Sequence, residues 1–311
     1  MGAVGFNEAD WIWRDGEFIP WHDAQLHLLS TAVQFGTSVF EGIRAYQTPK
    51  GAAIFRLDAH IERLFDSAKI YRMLPDYTAD NIAAVCREVV AKNGLGDCYI
   101  RPMILRGYGT PGLNPTLSPI QTFVATWAWG AYLGEEALAQ GVDVCVSSWQ
   151  RALPNTLPVR AKAGGHYVSA QLMKMEAVAN GYADAIALGP GGLVSEGSGM
   201  NLFLVDDGVV ISPVLDGTSL VGITRDSVIQ MAKDLGYEVS ERPVAREFLY
   251  TADEVFFTGT AAEVTPVRSI DRIEIGIGKA RPITLALQKE FMDTVRGRND
   301  DRHGYLTYVT G

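Results

Sequence analysis

The sequence is short of cysteine, of histidine pairs and of long apolar runs, and each shortage excludes a class of protein. Its three cysteines, Cys86, Cys98 and Cys145, show no CxxC spacing, which predicts free thiols in a reducing compartment and not a disulfide framework. None of the five histidines forms an HxH or HxxxH pair, so we expect no metal site.

Membrane and nucleic-acid partners are also disfavoured. No apolar run is long enough to cross a bilayer, and residues 1–10 lack the basic-then-apolar pattern of a signal peptide. We therefore expect a soluble cytoplasmic protein. The formal net charge of -9 disfavours a phosphate backbone as the main partner, although it leaves room for one small basic pocket.

The 311 residues suffice for two medium domains or one large one. Seven short segments rich in β-branched or aromatic residues predict strands, at 53–55, 98–105, 122–127, 142–147, 185–188, 201–205 and 254–258. Asp206, Asp207 and Gly208 predict a hairpin turn. Because the strands come partly in hairpins and do not alternate regularly with helices, we predict an α+β fold and not a doubly wound parallel sheet.

Apolar stripes with plausible caps predict five helices. They follow Asp58, Thr78, the 160–166 segment and Thr224, and the last contains Leu287. A Gly-Ala-Tyr-Leu-Gly stretch is the best candidate linker. The predicted domains are therefore 1–128, a linker at 129–140, and 141–311.

One motif is a false lead. Gly107-Tyr-Gly109-Thr-Pro-Gly112 has the GxGxxG spacing and follows a predicted strand. A dinucleotide loop must open a helix, and here prolines at 111, 115 and 119 follow instead. We therefore interpret the segment as a surface loop and disfavour a nucleotide-binding oxidoreductase.

Two charged residues stand among small neighbours. Lys162 lies in Arg-Ala-Lys-Ala-Gly-Gly-His, just before a predicted helix, and small neighbours let a ligand approach its ammonium closely. A buried lysine becomes a nucleophile or Schiff-base former. Glu196 lies in Gly-Leu-Val-Ser-Glu-Gly-Ser-Gly, and a buried carboxylate needs a cationic or hydrogen-bonding partner. Taken alone, each segment more simply indicates an ordinary feature, a lysine in a Gly-rich loop at 162 and a surface turn at 196.

Two further segments are suited to binding an anion. Gly222-Ile223-Thr224-Arg225 opens a predicted helix, and Gly259-Thr260-Ala261-Ala262-Glu263 forms a tight turn between predicted strands. Each offers backbone N–H groups and a threonine hydroxyl to a phosphate or carboxylate.

Together these segments closely resemble the branched-chain aminotransferase family, which belongs to the fold-type-IV enzymes that use pyridoxal 5'-phosphate (PLP). The resemblance runs from about Trp11 to Tyr305. It includes FGTSVFEGIR at 35–44, SAKIYR at 67–72, YIRP at 99–102, WGAYLG at 129–134, AKAGG at 161–165, SEG at 195–197, GITRD at 222–226 and GTAAEVTPV at 259–267.

The resemblance implies transamination of leucine, isoleucine and valine with 2-oxoglutarate or glutamate by a ping-pong mechanism. Lys162 would bind PLP covalently and carry the proton, Glu196 would pair with the pyridine nitrogen, and Tyr167 would bond the ring oxygen. The phosphate would be held by Arg56, by Gly222, Ile223 and Thr224 at the helix start, and by Thr260.

The resemblance also implies the substrate side. Thr260 and Ala261 would take the α-carboxylate, and Arg101 would take the distal carboxylate of glutamate. Leu113 would reach the neighbouring subunit's site. The remaining pocket residues would be Phe35, Phe40, Gly42, Tyr99, Trp129 and Tyr132.

The implied fold is a small α/β domain and a larger domain with a β-pseudobarrel, with PLP between them. The family assembles as homodimers with shared sites, often three dimers to a hexamer. Phe35 stands where a well-known member has tyrosine, which bears on substrate range. The alternatives of the same fold are D-amino-acid or (R)-amine transamination and aminodeoxychorismate lysis. A non-catalytic protein that has kept the fold is a further alternative, and the presence of both Lys162 and Glu196 argues against it.

Overall fold

The computed structural model describes residues 7–130, 135–276 and 281–310. Their strands are β1 Trp11–Arg14, β2 Glu17–Pro20, β3 Ser38–Phe40, β4 Ile43–Thr48, β5 Gly51–Phe55, β6 Cys98–Arg106, β7 Ile120–Ala128, β8 Val142–Gln150, β9 Asp184–Leu188, β10 Val194–Gly197, β11 Asn201–Asp206, β12 Val209–Pro213, β13 Val239–Arg242, β14 Glu254–Gly259, β15 Glu263–Ile270, β16 Ile273–Glu274 and β17 Leu306–Tyr308.

The α-helices of the described residues are α1 Thr31–Phe35, α2 Leu57–Ile70, α3 Ala79–Lys92, α4 Glu135–Gln140, α5 Tyr167–Ala179, α6 Ile223–Asp234 and α7 Pro282–Val295. Short 3-10 helices cover Trp21–Asp23, Gly164–His166 and Arg246–Tyr250. No helix in this part of the chain is long and apolar enough to cross a membrane.

The chain divides into two compact units. The described residues of unit 1 are 7–130, 161–165 and 294–310, and those of unit 2 are 135–160, 166–276 and 281–293. The sequence placed 161–165 and 294–311 in the second domain, whereas their described residues pack with unit 1. Lys162 therefore belongs to the unit that also holds β3 and α2.

Unit 1 is built on an antiparallel sheet of order β17-β5-β4-β6-β7-β1-β2, with β3 paired to β6. Its core packs apolar residues of α2 and α3 against the sheet, including Ile61, Leu64, Val89 and Ile100. Helix α3 begins with the predicted Thr78 cap, which forms a capping box with Asn81.

Helix α2 begins two residues earlier than predicted, at Leu57. Asp58 lies in the first turn, and the residue before the helix is Arg56, in a left-handed conformation with φ 54°. Arg56 binds the backbone of Tyr305 through its N–H at 2.7 Å. A contact distant in sequence therefore sets this helix start, which local capping rules do not anticipate.

Unit 2 is built on a mixed sheet of order β10-β9-β8-β15-β14-β11-β12-β13, with β16 paired to β15. The pairs β8–β9, β8–β15 and β12–β13 are parallel, and the others are antiparallel. The predicted turn at Asp207 and Gly208 joins β11 to β12, and both residues have positive φ.

All seven predicted strands lie within observed ones, and five observed helices cover the predicted positions. The segment 107–119 between β6 and β7 contains turns and bends but no helix, as expected for a surface loop. The three cysteines are free and buried. Burial raises the pKa of the Cys98 and Cys145 thiols to about 11, so the thiol and not the nucleophilic thiolate predominates at neutral pH.

Candidate functional site

The loop that carries Lys162 is held against β3 and α2 of unit 1. The Lys162 N–H donates to Ser67 Oγ at 3.0 Å, and its carbonyl accepts from the Phe40 N–H at 3.0 Å. Ala163 forms an antiparallel bridge with Val39. A Cβ on Gly164 would lie 2.5 Å from Ser38 Oγ, so the small residues after the lysine let the loop approach this strand closely.

This backbone pairing brings Lys162 to the predicted substrate pocket. Its Nζ lies 5.0 Å from the centroid of the Phe40 ring. The guanidinium carbon of Arg101 lies 4.7 Å from the same centroid. An amine and a second cation therefore lie next to the same aromatic ring, and all three residues belong to the same unit.

Aromatic rings surround Arg101. Its guanidinium carbon is 5.2 Å from the ring centroid of Tyr99 and 5.6 Å from that of Trp127. Trp129 packs against Tyr99 with centroids 5.4 Å apart. The Arg101 Nε is buried without a hydrogen-bond partner among the described residues. Trp127 was missed from the sequence because an aromatic residue in a strand ordinarily indicates core.

Gly42 lies at the edge of this pocket. A Cβ at this position would lie 1.7 Å from the Tyr99 hydroxyl oxygen, so the Tyr99 ring occupies space that any side chain at position 42 would need. Gly42 therefore contributes to the pocket by having no side chain, which leaves room for the Tyr99 ring.

A buried ionic cluster joins the pocket strand to α2. Glu41, between Phe40 and Gly42, accepts from Arg63 Nε at 2.6 Å and Nη2 at 2.8 Å, and lies 2.7 Å from His60 Nδ1. Burial by itself would raise the pKa of Glu41, but Arg63 and His60 outweigh it and hold the pKa well below its usual range. Burial lowers the pKa of His60, and the nearby charges of Arg63 and Lys162 lower it further. The sequence reasoning missed this cluster.

The second set of predicted residues lies in unit 2 around Glu196. This carboxylate is only 4% exposed. Its Oε1 lies 2.7 Å from Arg151 Nη2, and its Oε2 accepts from the Asn201 amide at 3.3 Å and from the Leu220 N–H at 3.2 Å. A buried carboxylate with these donors is held in one orientation.

The start of α6 adjoins this network. Its N-cap is Gly222, without a side-chain cap, so the first N–H groups of the helix, at Ile223 and Thr224, lack intrahelical partners. A Cβ on Gly222 would lie 1.8 Å from Asn201 Oδ1. The requirement for glycine and the uncapped N–H groups fit a helix terminus that binds a phosphate.

The substrate turn belongs to the same sheet. Thr260 and Ala261 lie in the hairpin between β14 and β15, where Gly259 pairs with Glu263. Asn201 pairs with Thr258 in the neighbouring strands, so the turn follows directly on the strand next to the Glu196 network. Tyr167 is the first residue of α5.

Three other predicted residues lie elsewhere on unit 1. The Arg56 guanidinium carbon lies 4.7 Å from the ring centroid of Tyr305. Phe35 is 48% exposed at the end of α1, and Leu113 is 87% exposed in the 107–119 loop. Tyr132, together with part of the predicted linker, lies outside the described residues. Within the described part of the chain, no group of three or more His, Cys, Asp or Glu residues is placed to hold a metal ion.

Comparison with known protein families assigns the chain to a class that agrees with these clusters. Residues 38–270 match the model of the amino-transferase class IV family. This span contains the Lys162 loop, the aromatic pocket, Glu196 and the start of α6. The chain therefore belongs to the class IV aminotransferases.

The similar proteins narrow that class. The branched-chain-amino-acid aminotransferase of Escherichia coli K12 is 49% identical over 303 residues, which cover 97% of this chain and 98% of that protein. A crystal structure of the Escherichia coli enzyme matches with a TM-score of 0.95 at 49% identity, covering 97% of this chain and 100% of that one. The enzyme of the same name from Thermobaculum terrenum, solved in its PLP form, has a TM-score of 0.91 at 36% identity, covering 98% of this chain and 100% of that one.

At this level of identity the chain is a member of the branched-chain-amino-acid aminotransferase family. The family and the fold-type-IV class predicted from the sequence are confirmed, as is the use of PLP. The D-amino-acid, (R)-amine and lyase alternatives are not favoured.

Proposed function

We propose that this enzyme transfers the amino group of leucine, isoleucine or valine to 2-oxoglutarate, using PLP, through the two clusters described above. The observation that carries the proposal is the arrangement of Lys162, Phe40 and Arg101. An amine and a guanidinium both lie about 5 Å from the centre of the Phe40 ring. Such a pocket suits an apolar side chain in one half-reaction and a distal carboxylate in the other.

The residues present fit the cofactor. PLP, when bound, accepts the electrons left on the substrate's α-carbon after its proton is removed. Glu196 is a buried acceptor for a protonated pyridine nitrogen, and the uncapped N–H groups of Ile223 and Thr224 suit a phosphate. The Thr260 hydroxyl adds a further donor. Tyr167 supplies a phenol for the ring oxygen.

Lys162 has two roles in this proposal. Its Nζ would hold the cofactor covalently, and as a free amine it would take the proton from the substrate's α-carbon. The hydrogen bonds from Phe40 and to Ser67 fix the backbone of Lys162 on both sides. Only the side chain then has to move between these tasks.

The substrate is bound by groups of different character. Backbone N–H groups at Thr260 and Ala261 take the α-carboxylate. Phe40, Tyr99 and Trp129 pack on an aliphatic side chain, and Trp127 extends this wall. We retain Phe35, Tyr132 and Leu113 as proposed pocket residues, the last acting on the neighbouring subunit's site.

The experiment that tests this function is a panel of amino donors against 2-oxoglutarate. We expect turnover with L-leucine, L-isoleucine and L-valine that exceeds turnover with D-alanine or an (R)-arylamine by orders of magnitude. The purified enzyme should show the near-visible absorption band of covalently bound PLP. Preference for D-alanine or the arylamine would contradict the branched-chain proposal while leaving the cofactor assignment intact.

Arg63 is a better-placed partner for the phosphate than Arg56. Ser67, which binds the Lys162 N–H, lies one helical turn after Arg63, so both residues occupy the face of α2 that meets the lysine loop. Arg56 precedes that helix and packs on Tyr305. We therefore propose that Arg63, oriented by Glu41, supplies the guanidinium that the sequence assigned to Arg56.

Substitution of either arginine distinguishes the two assignments. We expect Arg63→Ala to weaken PLP affinity by about ten- to a hundredfold, since a charge-assisted hydrogen bond is worth about 1.5–3 kcal/mol. Arg56→Ala should weaken it much less, as measured by PLP titration of the apoenzyme. Removing Arg63 also leaves Glu41 buried and without its arginine, so the Arg63→Ala/Glu41→Ala double variant controls for lost stability. The opposite ranking of the two arginines would restore Arg56 as the phosphate ligand.

The assembly and location complete the proposal. We infer a homodimer or a hexamer of three dimers in the cytoplasm, with amino acids and 2-oxo acids as partners and no nucleic acid or membrane. Light scattering of the purified enzyme should give a mass at least twice that of one chain.

A further inference from the structure

Arg151 forms an ion pair with Glu196 in unit 2, and the proposed function has so far given it no role. Arg151 follows directly on β8, and its own N–H donates to the Leu188 carbonyl at 2.9 Å. Its side chain is 10% exposed, and its Nη2 lies 2.7 Å from Glu196 Oε1. The pair is therefore buried on both sides.

The same nitrogen also fixes the chain just after Glu196. Nη2 donates to the Gly197 carbonyl at 3.0 Å and to the Ser198 carbonyl at 3.1 Å. The Arg151 Nε is buried without a hydrogen-bond partner among the described residues. Placing the guanidinium at this turn therefore costs the free energy of one unsatisfied buried N–H group. An arginine placed this way orients a carboxylate and its backbone together.

The nearby charges do not replace Arg151. On β9, which pairs with β10, Asp184 is bonded to Lys174 Nζ at 2.8 Å and accepts from Ser198 Oγ at 2.5 Å. Those two charges compensate each other. Two further partners of Glu196, the Asn201 amide and the Leu220 N–H, are neutral. Arg151 is thus a cation in direct contact with the carboxylate. Without it, the ionised form of the buried Glu196 would be less stabilised.

We propose that Arg151 is a positioning residue that keeps Glu196 ionised and correctly oriented, and thereby keeps the pyridine nitrogen of bound PLP protonated. This inference rests on the proposed function, because it assigns Glu196 to that nitrogen. It makes a two-residue unit, Arg151 and Glu196, responsible for the cofactor's ability to accept electrons.

The test compares Arg151→Gln and Arg151→Lys holoenzymes with the wild type. Glutamine removes the charge but keeps donors for the two carbonyls. Lysine keeps a charge but lacks the planar fork. The ¹⁵N chemical shift of PLP labelled at the ring nitrogen reports its protonation directly, and Glu196→Gln provides the reference for a nitrogen that lacks its acidic partner.

We expect the Arg151→Gln signal to move towards that of Glu196→Gln, and leucine turnover to fall on the order of 10- to 100-fold, as for residues that orient other active-site groups. Arg151→Lys should give an intermediate shift and a smaller loss. Arg268→Gln removes an arginine paired with Asp143 in the same unit, but an exposed one, and should leave both the ¹⁵N shift and turnover unchanged.

The outcomes separate this inference from the proposed function. A wild-type enzyme that lacks leucine transamination, or whose ring nitrogen is unprotonated, would contradict the proposed function itself. A normal wild type with unchanged ¹⁵N shifts in both Arg151 variants would overturn only the role of Arg151, even if their stability fell. If Arg151→Gln does not fold, the lysine variant decides, because a shift identical to the wild type would still count against the proposal.

Discussion

Lys162→Ala should abolish the covalent attachment of PLP and lower leucine transamination by several orders of magnitude. The reason is that one amine both anchors the cofactor and moves the proton. In the structure Lys162 Nζ lies beside the Phe40 wall of the pocket, with the backbone tied to Ser67. The measurements are the near-visible absorption spectrum and steady-state turnover with saturating PLP.

Two comparisons make this experiment specific. Lys50→Ala removes an exposed lysine and should behave as the wild type. Lys162→Arg keeps a positive charge but cannot form the covalent link, so it should be as inactive as the alanine variant. Appreciable turnover in Lys162→Ala without added amine would show that another group performs the proton transfer.

Arg101→Met should separate the two half-reactions. The distal carboxylate of glutamate would lose its cation and be buried unpaired. We expect a loss of about 2–4 kcal/mol in transition-state stabilisation for glutamate and 2-oxoglutarate, and a much smaller loss for leucine. Aromatic rings of Phe40, Tyr99 and Trp127 surround the guanidinium, so methionine can fill the space with apolar contacts.

Single-turnover rates of the PLP form with L-leucine and L-glutamate, measured side by side, decide this prediction. Arg101→Lys retains a cation and should recover part of the glutamate rate. Equal losses with both substrates would mean that Arg101 is a structural arginine of β6, whose removal damages folding and not recognition. A melting curve of each variant shows whether folding is affected.

The sequence by itself determined the elements and the family. Short β-branched segments, the Asp207-Gly208 turn and the Thr78 cap depend on neighbouring residues, so they can be read locally. The motifs around Lys162, Glu196, Gly222 and Thr260 identified the class before any contact was known. The rejection of the GxGxxG loop also needed only local information, because prolines prevent the helix that a dinucleotide loop requires.

Only the tertiary structure decided which charges face each other. Arg56 and Arg63 are both arginines near one helix start, and nothing in their local sequence tells which of them turns to the lysine loop. Glu41 and Arg63 are 22 residues apart, and Arg151 and Glu196 are 45 apart. Their pairing follows from strand order and helix packing. Trp127 is likewise recognised as a pocket residue only because its ring lies close to Arg101 in the folded structure. Hydrogen bonds and ion pairs act over a few ångströms in space, so sequence motifs indicate the chemistry, while the fold determines which groups perform it together.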